Sequence, residues 1–332
     1  ELRGKDLVVR SESGADQTVI DCERQGRGFY IHEWETRAAR IEDVTIVNGL
    51  ATTYPAVNGG GICCELASPT ISGCRVLNCE AGSGGGINVT SSSSVVEDCY
   101  IAGNYADSKG GGLHLGFAFF ELPIVRGCVL TGNWGYNGGG LCLESGVELV
   151  ENCTIVANLG TWGGGIRTPT SLVLERCIVW DNCAFIDGDE IDAPEVDVRC
   201  SAVDTTGVYA FHWATYDPYC VYSNPEFCEP DFCGQYVGGD WTLDADSPCL
   251  PEHSPCGDLI GALGVGCGGA PPTGACCLTD GSCVVESASD CLSHLGIYQG
   301  DLTPCDPNPC IATPVEKTSW GQIKARFRDQ IK

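Results

Sequence analysis

Five glycine triplets, at 59–61, 84–86, 110–112, 138–140 and 163–165, recur at intervals of 25, 26, 28 and 25 residues. Each is followed by an aliphatic residue: Ile62, Ile87, Leu113, Leu141 and Ile166. Later in each unit a cysteine precedes an asparagine by five positions, as in Cys99 and Asn104, Cys128 and Asn133, Cys153 and Asn158, and Cys177 and Asn182. The first unit varies the theme with Cys74, Val76, Asn78 and Cys79. Helical units are excluded, because each glycine costs a helix about 1 kcal/mol relative to alanine. Alternating segments such as Leu172–Cys177 lie between the markers, so a unit reads as three short strands joined by tight corners. Self-similarity at this period is the mark of a solenoid. The expected fold is all-β, a right-handed parallel β-helix with three strands and about 25 residues per coil.

Stacked coils, about 4.8 Å apart, place equivalent residues in columns. Alternation sends Ile62 and Cys64, Ile87 and Val89, Leu113 and Leu115, and Leu141 and Leu143 inward. The intervening Cys63, Asn88, His114 and Cys142 face outward. Cys74, Cys99, Cys128, Cys153 and Cys177 form a second inward column, each with an aliphatic residue two positions on. Five stacked cysteines cannot all pair, and cysteine packs as a small hydrophobe; buried free thiols are expected, with bridges between adjacent coils as the alternative. The corner asparagines are expected to bond the backbone of neighbouring coils, and the glycines to supply positive φ and close backbone approach.

Twenty-four cysteines spread along 332 residues point to an oxidising compartment. No apolar run approaches the roughly 20 residues of a membrane span. The chain opens on Glu1 and contains no methionine, which reads as a processed, exported protein, extracellular or at the cell surface. A net charge of −26 excludes nucleic acid as a partner.

Five segments are expected: a parallel β-helix over 1–199, with regular coils from 40 to 185 and an incomplete, open-edged first coil; a cap over 200–267; a Gly- and Pro-rich linker over 268–273; a small module over 274–310; and a basic amphipathic tail over 311–332. The cap is expected to be tied by disulfides among Cys220, Cys228, Cys233, Cys249, Cys256 and Cys267. Cys276, Cys277, Cys283, Cys291, Cys305 and Cys310 are expected to staple the module, with a connectivity that spacing alone leaves open.

The Gly-Gly-Gly-Ile triplets and Cys177-Ile-Val-Trp-Asp-Asn182, with Ser247-Pro-Cys249, Cys256-Gly-Asp-Leu-Ile-Gly-Ala-Leu263 and Gly274-Ala-Cys-Cys-Leu-Thr-Asp-Gly-Ser-Cys283, resemble the large exported parallel β-helix repeat proteins of environmental bacteria. More distantly, the coils are similar to the GGxI and FxxN repeats of polymorphic outer-membrane proteins and adhesins, with cysteine where those carry phenylalanine. The resemblance covers nearly the whole chain and implies export and an extracellular role without assigned chemistry.

Candidate sites are sparse. Some parallel β-helices cleave polysaccharides, but the Gly-His-Gly of polygalacturonase-type hydrolases does not occur. The nearest cation-binding set is Asp187, Asp189, Glu190 and Asp192, a candidate for Ca²⁺, with a solvated acidic loop as the alternative. No cofactor besides Ca²⁺ is expected. The histidines fall in unrelated contexts, and no serine or cysteine nucleophile has a placed base. Asn88-Val-Thr90 and Asn152-Cys-Thr154 match glycosylation sequons, Asn88 being the stronger candidate. The outward positions of the cysteine strands include Leu77, Tyr100, Val129, Val156, Ile178 and Trp180, an apolar ribbon covered either by residues 200–267 or by a neighbour. Trp320, Ile323 and Phe327 supply the apolar side of the tail. Non-enzymatic self-association, with head-to-tail fibres as one form of it, is the leading expectation. An adhesin or glycan-binding module with Trp134, Tyr136 and Trp162 as sugar platforms is the second, and a polysaccharide lyase or hydrolase the third.

Overall fold

The structure, a computed structural model, describes residues 1–52, 57–118, 121–144, 148–234, 238–267, 273–278, 282–287, 291, 297–301, 305 and 310. It forms two compact units, Glu1–Val265 and Gly266–Lys332.

The first unit is a parallel β-solenoid. Three corners per coil are built from what the repeat residues demand. Gly84 sits at φ 60°, and a Cβ there would lie 2.4 Å from the carbonyl oxygen of Ile87. At Gly85 a Cβ would lie 2.3 Å from the Tyr105 oxygen and 2.4 Å from that of Gly111, so the backbone of the next coil occupies the space of a side chain. The second corner precedes each column cysteine. Gly73, Asp98, Gly127, Asn152 and Arg176 all have positive φ, and the following thiol donates to the carbonyl two residues back, as Cys99 Sγ does to Glu97 O at 3.2 Å. Ser201 takes the cysteine's place in the last coil, donating to Arg199 O at 2.7 Å. The cysteines therefore close a turn as well as filling space.

The third corner carries the asparagine ladder. Asn104, Asn133 and Asn158 each accept the backbone N–H of the ladder residue one coil earlier, at 2.9–3.0 Å. Each also donates its amide to the next asparagine, ending on Asn182. Cys79, not Asn78, occupies the ladder position in the first regular unit, its N–H donating to Asn104 Oδ1 at 2.9 Å.

Each regular coil holds four strands rather than three, because the segment after the glycines divides in two; in one coil these are Ile87–Thr90, Val95–Glu97, Tyr100–Ala102 and Tyr105–Lys109. They are distributed over three sheets of 15, 8 and 6 strands, the first sheet receiving two strands per coil. Registers run unbroken through Ile62, Ile87, Leu113, Leu141, Ile166 and Ile191, all fully buried. The solenoid continues beyond residue 199: Val208–Tyr216 pairs in parallel with Ile191–Arg199. Residues 217–265 then fold back as the cap, with Phe227–Glu229 antiparallel to Asp240–Asp244.

The second unit contains an antiparallel three-stranded sheet in which Thr273–Cys277 lies between Cys283–Ser287 and Ile297–Asp301. All six expected module cysteines pair, as Cys276–Cys291, Cys277–Cys310 and Cys283–Cys305. The tail over 311–332, with Trp320, Ile323 and Phe327, lies outside the described residues.

Candidate functional site

Strand alternation puts one polar column on the outer face of the first sheet: Tyr30, Cys63, Asn88, His114, Cys142, Arg167, Asp192 and Tyr209 are register partners on successive strands. The column faces outward as the alternation predicts, but outward does not mean exposed here. Cys63, Asn88, His114, Cys142 and Asp192 are all buried. Asn88 donates its amide to Thr90 Oγ1 at 3.2 Å and lies 3.7 Å from Cys63 Sγ, while its Oδ1 meets His114 Nδ1 at 2.8 Å. A fully buried, triply engaged amide is no glycan acceptor, so the Asn88 sequon is structural. Asn152 is likewise engaged, donating to Leu259 O at 3.3 Å and accepting from Arg176 Nε at 3.2 Å.

Beyond His114 the column meets an ion cluster. His114 Nε2 lies 3.0 Å from Glu144 Oε2, and Lys109 pairs with Oε1 of the same carboxylate. His114, then Lys109, hold the Glu144 carboxyl down at about 2 against the upward pull of burial. Burial pushes the Cys63 and Cys142 thiols up to about 12. Thiols so protonated are poor nucleophiles, and the arrangement is a fixed network of internal contacts.

The four carboxylates of the candidate Ca²⁺ set diverge. Among the described residues no three His, Cys, Asp or Glu side chains come together around a cation. The corner at Gly188, φ 70°, is the reason, since it separates Asp187 on the third sheet from residues that turn into the first. Asp189 accepts the Ala184 N–H at 2.7 Å. Glu190 points inward to end the asparagine ladder, accepting from Asn182. Asp192 points outward and pairs with Arg167 Nε at 3.0 Å, burial raising its carboxyl above the usual range.

The apolar ribbon on the second sheet packs against the chain's own cap, one of the two coverings the sequence left open. Val129, Val156 and Ile178 are fully buried in one cluster with Val221, Trp241, Leu243, Leu250 and Ile260; Tyr100 and Trp180 pack against it, and Leu77 is half-buried. Gly261 donates its N–H to Arg176 O at 2.7 Å, and Ala262 donates to Thr154 Oγ1 at 2.9 Å. Two disulfides fasten the cap to the coils rather than to itself: Cys183–Cys233 and Cys200–Cys256. Cys220 and Cys249, expected to pair, are buried free thiols; Cys228 and Cys267 are disulfide-bonded. Neither Cys183 nor Cys200 stood out as a bridge in the sequence. The signal was there in Cys183, which follows Asn182 where the other units place Tyr105, Trp134 and Leu159. Trp134 stacks on Tyr105, with centroids 4.5 Å apart and planes at 8°, so one ring face is already used; Tyr136 is exposed and Trp162 half-buried.

A profile of the right-handed β-helix region matches residues 31–214, more than half of the chain. The chain belongs to the right-handed β-helix family. Searches of curated proteins and of solved structures each found no match. Among its described residues, no helix of this β-helix protein is long and apolar enough to cross a membrane.

The two ends of the β-helix remain. At one, Val8–Arg10, Val19–Asp21 and Phe29–Ile31 each have a single strand neighbour among the described residues. At the other, among the described residues, Val208–Tyr216 pairs only with Ile191–Arg199, and Cys183–Asp187 only with Leu159–Trp162. Both ends expose apolar side chains: Leu7, Val8 and Val19 at the first, Phe185, Ile186, Tyr209, Phe211 and Trp213 at the second.

Proposed function

We propose that this β-helix protein is an extracellular structural protein that self-associates through the ends of its solenoid, serving as a rigid unit rather than a catalyst. The observation that carries the reading is the pair of open ends. Unpaired parallel strand edges recruit further strands, and here they coincide with exposed apolar residues, Val8 at 55% and Val19 at 56% exposure at one end and Phe185 at 68% at the other. The extracellular setting is supported by the disulfides that fasten cap to coils and staple the small module, bonds that persist in oxidising compartments. The scaffold role is supported by the internal commitments of the polar column, in which His114, Glu144, Arg167 and Asp192 already hold one another. Light scattering on the 332-residue chain across a concentration series tests it: mass that rises with concentration supports self-association, and a constant monomer mass contradicts it.

A further inference from the structure

We propose that the open edge of Val208–Tyr216 receives the opening strand Val8–Arg10 of a second copy of this chain, so that the first sheet runs from one molecule into the next. The inference rests on the self-association reading and names its mating surfaces.

Among the described residues, the first sheet is the one left open. At the end of the second sheet Val221 already bridges Ala202, and at the end of the third the Cys183–Cys233 disulfide brings in the cap. The terminal strand of the first sheet is nine residues long, VYAFHWATY, and contains none of the Lys, Pro or acidic residues that ordinarily blunt an edge. Tyr209, Phe211 and Trp213 are exposed along it.

The register favours continuation. Arg10, Glu42, Ser72, Glu97, Arg126, Glu151, Glu175 and Arg199 form one column, strand by strand. Because Val198 pairs with Tyr216, Asp217 follows Arg199 in this column. One further parallel strand in the same register places Arg10 of the incoming copy on Asp217. The column already makes such pairs between coils, Arg126 reaching Glu97 at 2.6 Å.

Charge favours the same orientation. Seven of the 18 basic residues fall within residues 1–40, against eight acidic ones, whereas residues 183–217 carry eight acidic residues and only Arg199. The acidic end therefore attracts the near-neutral, arginine-rich end of a second copy more than another acidic end. Such a contact is heterologous and does not close, so it propagates.

The test compares the full chain with two variants by sedimentation velocity from about 1 to 100 µM. Asp217 donates its N–H back to Val198 O, so by strand alternation the N–H of Tyr216 faces the open side, toward Val8 of the incoming strand in this register. Tyr216→Pro therefore removes a docking donor without breaking an intrachain backbone bond. Arg10→Glu reverses the incoming charge. The expected result is association weakened about tenfold or more in each, with the Arg10→Glu effect shrinking at high salt. If the wild-type chain associates and both variants match it, the proposed surfaces are wrong while self-association stands. A wild-type chain that stays monomeric throughout overturns the reading beneath it as well.

Discussion

Asn182 gives both of its donor groups to Glu190: its backbone N–H lies 3.2 Å from Oε1 and its side-chain amide 2.6 Å from Oε2. The carboxyl is buried at 2% exposure, and burial outweighs these two bonds, raising it well above the usual carboxylate range. A group whose folded value is raised binds its proton more tightly when folded. Its contribution is complete below about pH 4.5 and is lost as pH rises. Glu190→Gln, which mimics the neutral acid, is expected to melt higher than wild type at pH 8 and alongside it near pH 4. Melting curves at the two pH values check this; a variant less stable at pH 8 means the charged form is the one the ladder prefers.

The ladder itself is expected to be the most mutation-sensitive part of the solenoid. Asn158 donates to Leu130 O and Asn182 Oδ1, each at 2.9 Å, and accepts from the backbone N–H and side-chain amide of Asn133 at 3.0 and 2.9 Å. Asn158→Ala leaves these groups buried and unpaired, at a cost of about 3 kcal/mol. Denaturant unfolding measures it; a cost under about 1 kcal/mol would show that water or relaxation replaces the ladder.

Twelve cysteines are free, and of these only Cys22 is not buried. Native protein titrated with a thiol reagent is expected to show one rapidly reacting thiol, and protein unfolded without reductant twelve. Several fast thiols in the native state would mean that the Cys74–Cys177 column is open to solvent.

The cap depends on its tethers. Cys183–Cys233 closes 50 residues, and chain-entropy arguments give such a bond up to about 4 kcal/mol. Cys233→Ser is expected to make residues 217–265 susceptible to proteolysis while the coils resist. Loss of coil protection at the same rate would show that cap and coils unfold together.

The coil period was legible because its markers are chemically irreplaceable: a Cβ has no room at Gly85, and the ladder at Asn104, Asn133 and Asn158 needs an amide. The column cysteines were legible as buried thiols, but their turn-closing bonds, which Ser201 also makes, depend on the backbone geometry of the corner and leave no mark in the spacing. The first unit's variant pattern of Cys74, Val76, Asn78 and Cys79 did not mark its ladder residue, because at Cys79 a sulfur acceptor stands in for an amide, taking the Gly49 N–H at 3.3 Å. The partners of Cys183 and Cys200 lie in a segment that folds back from 50 and 56 residues along the chain, and no local pattern encodes them. The carboxylates from Asp187 to Asp192 looked like one cluster because they are close in sequence; a corner sends them to different faces.

Electron microscopy of the 332-residue chain at high concentration and low salt tests the central claim most directly. The nine strands of the first-sheet column that runs from Val8–Arg10 to Val208–Tyr216, at about 4.8 Å each, predict unbranched filaments with an axial repeat of about 43 Å. Fields of isolated particles, under conditions where melting curves show the chain folded, would contradict end-to-end self-association.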